Sequence, residues 1–187
     1  MAKVLVANHI TLDGVMQSPA RPDEDTRDGF SHGGWALAGH DELMAVKIGE
    51  RMGSKSAFLL GRRTYEGLYA VWGKQTGNPF SQALTNGLKY VASRSLREPL
   101  PWSLPGSLTV FGSGELIGSL MGADLIDEYL LMIHPLMLGQ GRRLFAPGLR
   151  SRLRLLESVP TATGAVIALY EPARERISSI TADLASA

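Results

Sequence analysis

The chain has 187 residues, a formal charge of +1 from 19 Lys and Arg against 18 Asp and Glu, and no cysteine. Near neutrality with scattered basic residues argues against nucleic acid or a membrane surface as the main partner, and the lack of cysteine excludes disulfides, thiolate metal sites and a cysteine nucleophile. His9, His32, His40 and His134 show no metal-ligand spacing, so no metal is expected. The length fits one domain, 1–172, with a tail over 173–187. No apolar stretch is long enough to span a bilayer and the first residues show no leader pattern, so a cytoplasmic location is the expectation.

In chain order, Val4-Leu5-Val6-Ala7 reads as a compact strand, and residues 8–14 carry the chain into a turn at Asp13-Gly14. These two residues are favoured in turns, yet a carboxylate at a strand exit also stands where α/β sheets place ligands. Residues 17–39 are irregular, with prolines, acids and Gly33-Gly34-Trp35. A loop of that length in a compact domain points to function or mobility. Asp41 suits the N-cap of a helix running to about Arg51, with Leu43, Met44 and Ile48 on its buried side.

Residues 56–60 read as a buried strand that runs into Gly61-Arg62-Arg63-Thr64-Tyr65-Glu66, a helix start carrying two guanidinium groups and a hydroxyl. Planar, permanently charged donors suit phosphate, although solvated surface arginines would read the same way. A short helix is expected over 79–86. Lys89-Tyr90-Val91-Ala92 then reads as a strand leaving through Ser93-Arg94-Ser95.

The densest signal lies in residues 108–145. Leu108-Thr109-Val110-Phe111 suits a buried strand, Gly112-Ser113-Gly114 a tight turn, and residues 115–121 a helix. The first amides of a helix lack intrahelical partners and carry the positive end of its dipole, so such a turn can hold a pyrophosphate. Gly112, Gly114 and Gly118 form a variant of the dinucleotide glycine pattern, which a plain tight turn with close helix packing also explains. Asp127-Glu128 leads into Tyr129-Leu130-Leu131-Met132-Ile133, a nearly unbroken apolar run expected to be a central strand, stopped by His134-Pro135. Residues 153–159 and 165–170 then pair as an antiparallel ribbon across Thr163-Gly164.

Alternating strands and helices predict an α/β fold, and several phosphate-type strand exits suggest one extended anionic ligand across the sheet edge. A Rossmann dehydrogenase fits less well, because its fingerprint opens the nucleotide-binding unit whereas here strands with such exits come first.

These pieces, together with Thr11-Leu12-Asp13-Gly14 and His134-Pro135-Leu136-Met137-Leu138-Gly139-Gln140-Gly141, resemble the reductase domain of bacterial riboflavin biosynthesis and the wider dihydrofolate-reductase-like superfamily. The resemblance covers residues 4–172. It implies a mixed, mostly parallel central sheet flanked by helices, with a C-terminal antiparallel ribbon. It also implies NADPH as cofactor, a small-molecule substrate of the riboflavin-pathway or pterin-like class, and a homodimer.

By position, Gly61, Arg62, Arg63 and Thr64 would meet the phosphates and Ser93 and Arg94 the 2′-phosphate. Gly112, Ser113, Gly114, Glu115 and Leu116 would hold the pyrophosphate, and Asp13 and Glu128 would serve the reaction. Relatives usually have a further strand and helix where residues 104–107 form a short link, so a shortened sheet edge is expected. The first helix lacks an inward mid-helix carboxylate, which argues against folate. The alternative to an NADPH-dependent reductase is a nucleotide- or ligand-binding protein of the same fold that has lost turnover.

Overall fold

A computed structural model describes residues 3–52, 56–73, 75, 79–93 and 107–173. In chain order it has β1 (Leu5–Thr11), α1 (Glu42–Met52), β2 (Ser56–Gly61), α2 (Arg62–Trp72) and α3 (Pro79–Asn86). These are followed by β3 (Leu88–Ala92), β4 (Ser107–Phe111), α4 (Gly114–Gly122), β5 (Glu128–His134), β6 (Leu153–Pro160) and β7 (Val166–Pro172). The strands form one sheet in the order β3-β2-β4-β1-β5-β7-β6. From β3 to β5 the neighbours are parallel, and β7 and β6 complete the sheet antiparallel. This is the mixed, mostly parallel architecture expected from the sequence.

Both sheet faces are covered, as parallel strands require. One face packs Leu5, Ala7, Phe58, Leu60, Leu130 and Met132 against Met44 and Ile48 of α1, Tyr65 of α2 and Leu84 of α3. The other packs Val6, Ile10, Val110, Tyr129 and Leu131 against Ile117 of α4. Residues of one strand divide between the two clusters by the period of two that a pleated strand imposes. Asp41 caps α1 as its position in the sequence suggests, accepting the Leu43 amide at 2.9 Å, while its second oxygen accepts the Ala162 amide at 3.1 Å.

Two strands are longer than their apolar runs. β1 continues through Asn8, His9 and Thr11, and β5 includes His134, which is completely buried. The polar residues stay in the ladder because each has a specific partner. Lys89 of β3 is also buried; its ammonium donates to Gly87 O at 2.7 Å and Thr85 O at 3.3 Å behind α3, and burial lowers its pKa to about 8.

Parallel strands bring the exits of β1, β2, β3, β4 and β5 to one edge of the sheet. From β1 the chain crosses to β2 through α1 on one face, whereas β4 crosses to β5 through α4 on the other. The crevice between the β4 and β1 exits is where these connections part, the usual ligand position in an open α/β sheet. Among the described residues no helix is long and apolar enough to cross a membrane.

Candidate functional site

At the β4 exit, Gly112 and Ser113 both take left-handed backbone, with φ of 55° and 56°. A non-glycine residue costs on the order of 1 kcal/mol there, and the Ser113 side chain offsets it. Its Oγ accepts the Gly61 amide at 2.7 Å and shares a hydrogen bond with Thr64 Oγ1 at 2.9 Å. The turn is tight: a Cβ on Gly61 would lie 2.8 Å from Ser113 Oγ, and one on Gly112 would lie 3.1 Å from Thr64 Oγ1. Asn8, buried in β1, accepts the Gly112 amide at 2.8 Å.

The β1, β2 and β4 exits are therefore joined into one shelf. Gly61, Thr64 and Ser113, expected as phosphate ligands, spend their polar groups building it. Helical bonding in α4 begins with the Ile117 amide on Ser113 O at 3.0 Å, so the amides of Gly114, Glu115 and Leu116 precede the first intrahelical bond.

Around that helix start lies a ring of alternating charges. Arg27 forms a two-pronged pair with Asp25, at 2.7 Å through Nε and 2.5 Å through Nη2. It also stands 3.8 Å from Glu115, and Arg63 stands 3.8 Å from Asp25. Arg142 spans Asp28 at 3.0 Å and Glu115 at 3.3 Å. Arg62 instead pairs along its own helix with Glu66 at 3.1 Å. Arg27 and Arg142 were invisible as site residues in the sequence, since they reach α4 only through the folding of the 15–30 and 138–144 loops.

Those loops are organised by Gln17, which the sequence did not single out. Its buried amide donates to Asp25 O at 3.1 Å and Arg27 O at 3.0 Å, and its oxygen accepts the Arg142 amide at 2.9 Å. The Trp35 indole donates to Gln17 O at 2.7 Å.

Asp13 does stand at this edge, but as a brace. Its carboxylate accepts the Thr11 hydroxyl at 2.6 Å and the Leu138 and Gly139 amides at 3.2 and 2.8 Å. The Thr11 hydroxyl, and then these amides, hold its carboxyl below the ordinary aspartate range against the opposing effect of burial. A carboxylate so saturated is a weak proton acceptor and a good anchor between the β1 and β5 exits.

Glu128 is displaced from the expected site. It opens β5 opposite Leu5, at the other end of the sheet, and pairs with Lys3 at 2.9 Å. Parallel pairing of β1 with β5 makes this unavoidable, so Glu128 and Asp13 cannot serve one small substrate. Ser93 leaves β3 at the site edge and has a polar or electrostatic partner of its own. Arg94 and residues 104–106 of the short link lie outside the described residues, and the chain re-enters them at Ser107, the first residue of β4.

Beneath the β1 and β5 exits is a histidine pair. His9 Nδ1 and His134 Nε2 are 2.9 Å apart, and Trp35 meets the His134 ring edge-on with centroids 5.4 Å apart. Burial, then His134 and His40, depresses His9 to about 3; burial, then His40, also lowers His134.

Both rings are neutral at pH 7. Below about pH 6.5 the unfolded chain binds protons that the folded chain refuses, so the pair's contribution to stability is flat above pH 7 and is lost as pH falls toward 3. His9 alone contributes a loss on the order of 2 kcal/mol by pH 5, at about 1.4 kcal/mol per unit. Urea unfolding at pH 7.5 and pH 5 measures it; equal stabilities would show that the pair accepts a proton in place.

The chain is an α/β protein of mixed, mostly parallel sheet with a helix-start shelf at the crevice, a fold it shares with dihydrofolate-reductase-like structures. A model of the RibD C-terminal domain matches residues 103–167, which include the β4 turn, α4 and β5. A pyrimidine reductase-like protein from Corynebacterium diphtheriae superposes with TM-score 0.57 at 12% identity, over 93% of each chain. Dihydrofolate reductase from Enterococcus faecalis, complexed with NADP(H), superposes with TM-score 0.59 at 12% identity, over 91% of this chain and 96% of that one.

A deaminase/reductase from Thermotoga maritima gives TM-score 0.55 at 14% identity, over 91% of this chain but 56% of that chain. No curated protein matches the chain. The resemblance to the RibD C-terminal domain and the dihydrofolate-reductase-like fold thus stands in both sequence and structure.

Proposed function

We propose that the protein is an NADPH-dependent reductase acting on a carbonyl or imine of a small heterocycle, in the riboflavin-pathway or pterin-like class. The observation that carries this reading is the Gly112-Ser113-Gly114 shelf, which sets the free amides of Gly114, Glu115 and Leu116 beside Arg27, Arg63 and Arg142 at the β4/β1 crevice. Amides at a helix start and planar guanidinium groups are the donors that a pyrophosphate requires. The nicotinamide, when bound, supplies the hydride. The chain's own part is to hold the dinucleotide, orient the acceptor and keep water away.

The arginines are satisfied by Asp25, Asp28 and Glu115, and phosphate would displace the most exposed of these, Glu115, whose side chain is 86% exposed. Partial neutralisation also suits the second reading, a binding protein of this fold without turnover. Titration with NADPH and NADH, followed by melting temperature and nicotinamide fluorescence, tests both, because a ligand of the native state raises stability with its excess.

The expected result is a saturable NADPH response that weakens about tenfold in Arg142→Ala, corresponding to loss of one charge-assisted contact of about 1.4 kcal/mol. No response at high micromolar cofactor would end the reductase reading. Saturable binding without oxidation across a carbonyl and pterin panel would favour the second reading.

A further inference from the structure

The geometry around the histidine pair decides which nitrogens carry protons. His134 is fully buried and its Nδ1 has no hydrogen-bond partner. Facing that nitrogen is Gly39: a Cβ built there would stand 2.5 Å from Nδ1, so one Cα hydrogen of Gly39 points at it. Gly39 cannot turn away, because its amide donates to Ala36 O at 3.2 Å and its carbonyl accepts the Thr163 hydroxyl at 2.9 Å. Nor is Trp35 a donor to Nδ1, its N–H being spent on Gln17 O.

A proton on Nδ1 would collide with the glycine hydrogen and leave a buried N–H without an acceptor. A lone pair there instead receives a weak C–H contact. The proton of neutral His134 therefore sits on Nε2 and is donated to His9 Nδ1. His9, accepting at Nδ1, must carry its own proton on Nε2. His9 is less deeply buried than His134, so the chain of hydrogen bonds starts at the fully buried His134 and ends at the Nε2–H of His9. Exposed apolar side chains lie on the segments leaving β1 and β5 and on the turn that contains Gly39: Leu12, Met137 and Leu37.

We infer that His9 is the neutral hydrogen-bond donor that holds the reducible carbonyl oxygen or imine nitrogen of the substrate, its tautomer set by His134 as a positioning residue and by Gly39. This rests on the reductase reading and adds to it the group that recognises the acceptor atom. A neutral imidazole N–H polarises such an atom and steadies the charge that grows on it, and its stiff orientation costs no reorganisation during reaction. The same donor disfavours a ligand that presents an N–H or a cation at that point, since two donors would face each other.

Long-range 1H–15N correlation of the imidazoles at pH 7.5 tests the assignment, with His9→Gln and His134→Gln identifying the two resonance sets. Both rings are expected as neutral Nε2–H tautomers. An Nδ1–H on either ring, or an imidazolium, overturns the proposal. On a carbonyl substrate, His9→Phe is expected to lower kcat about 100-fold while retaining the NADPH-induced rise in melting temperature. For His134→Leu a fall is also expected, with partial recovery in His134→Gln, which restores a donor.

Unchanged kcat in His9→Phe would remove His9 from the reaction. If the wild-type protein neither binds NADPH nor reduces any carbonyl, the reductase reading fails by that result, and the spectrum still decides the tautomer on its own.

Discussion

Replacing Gly141 by alanine is expected to destabilise the protein by about 3 kcal/mol, lowering Tm by roughly 10 °C for a chain of this size. Two effects add at this position. Its φ of +114° is one that L residues seldom adopt, and a Cβ would come within 2.7 Å of both Phe30 Cε2 and Val15 Cγ1. Those two side chains are buried and cannot yield without moving the 15–30 loop away from the 138–144 loop. Differential scanning calorimetry of Gly141→Ala measures the change. A variant melting within 2 °C of wild type, well under about 1 kcal/mol, would mean that the two loops are loosely joined.

The second large effect concerns Gln17→Leu. Leucine has similar bulk, so the change removes hydrogen bonds while opening little space. It strands the Arg142 amide and the carbonyls of Asp25 and Arg27, a cost of about 3 kcal/mol at about 1 kcal/mol for each group.

Most of that cost is expected as local opening of the 18–30 segment, which raises trypsin cleavage after Arg27 under native conditions about 100-fold. On the proposed NADPH-binding reading, affinity for the cofactor should fall with it, because Arg27 and Arg142 reach the α4 start only while this segment is seated. Cleavage at the wild-type rate would show that the segment is held by something other than Gln17.

Much of the architecture is legible in the sequence. Residues 108–121 carry an apolar run, a Gly-Ser-Gly turn and helical spacing in an order with one simple reading, and the structure has β4, the turn and α4 there. Helix α3 over 79–86 and the β6–β7 ribbon were legible for the same reason, since local period and turn chemistry report local structure. β1 and β5 were read too short because Asn8, His9, Thr11 and His134 look like strand-ending residues. Each is kept in the sheet by a partner that the sequence does not place beside it.

The candidate site divides along the same line. The glycine turn and the two arginines at the β2 exit were expected from residue type and position; the structure sets Arg63 near Asp25 and pairs Arg62 with Glu66 of its own helix. Gln17, Arg27, Arg142 and the pairing of His9 with His134 were not, because their contacts span long sequence separations, such as the 125 residues between His9 and His134. Glu128 was placed on the wrong side because a one-dimensional reading has no way to say which end of a strand faces the crevice.

The sequence by itself determined which segments are strands and helices, their alternation as an α/β fold, and the glycine turn before α4, whereas the mostly parallel order of the sheet was what the family resemblance implied. The first three follow from side-chain periodicity and backbone preference within a few residues. Only the tertiary structure decided which strand ends meet, which carboxylates brace and which stand apart, and which histidines pair. Those outcomes depend on parallel pairing and on desolvated contacts between distant residues.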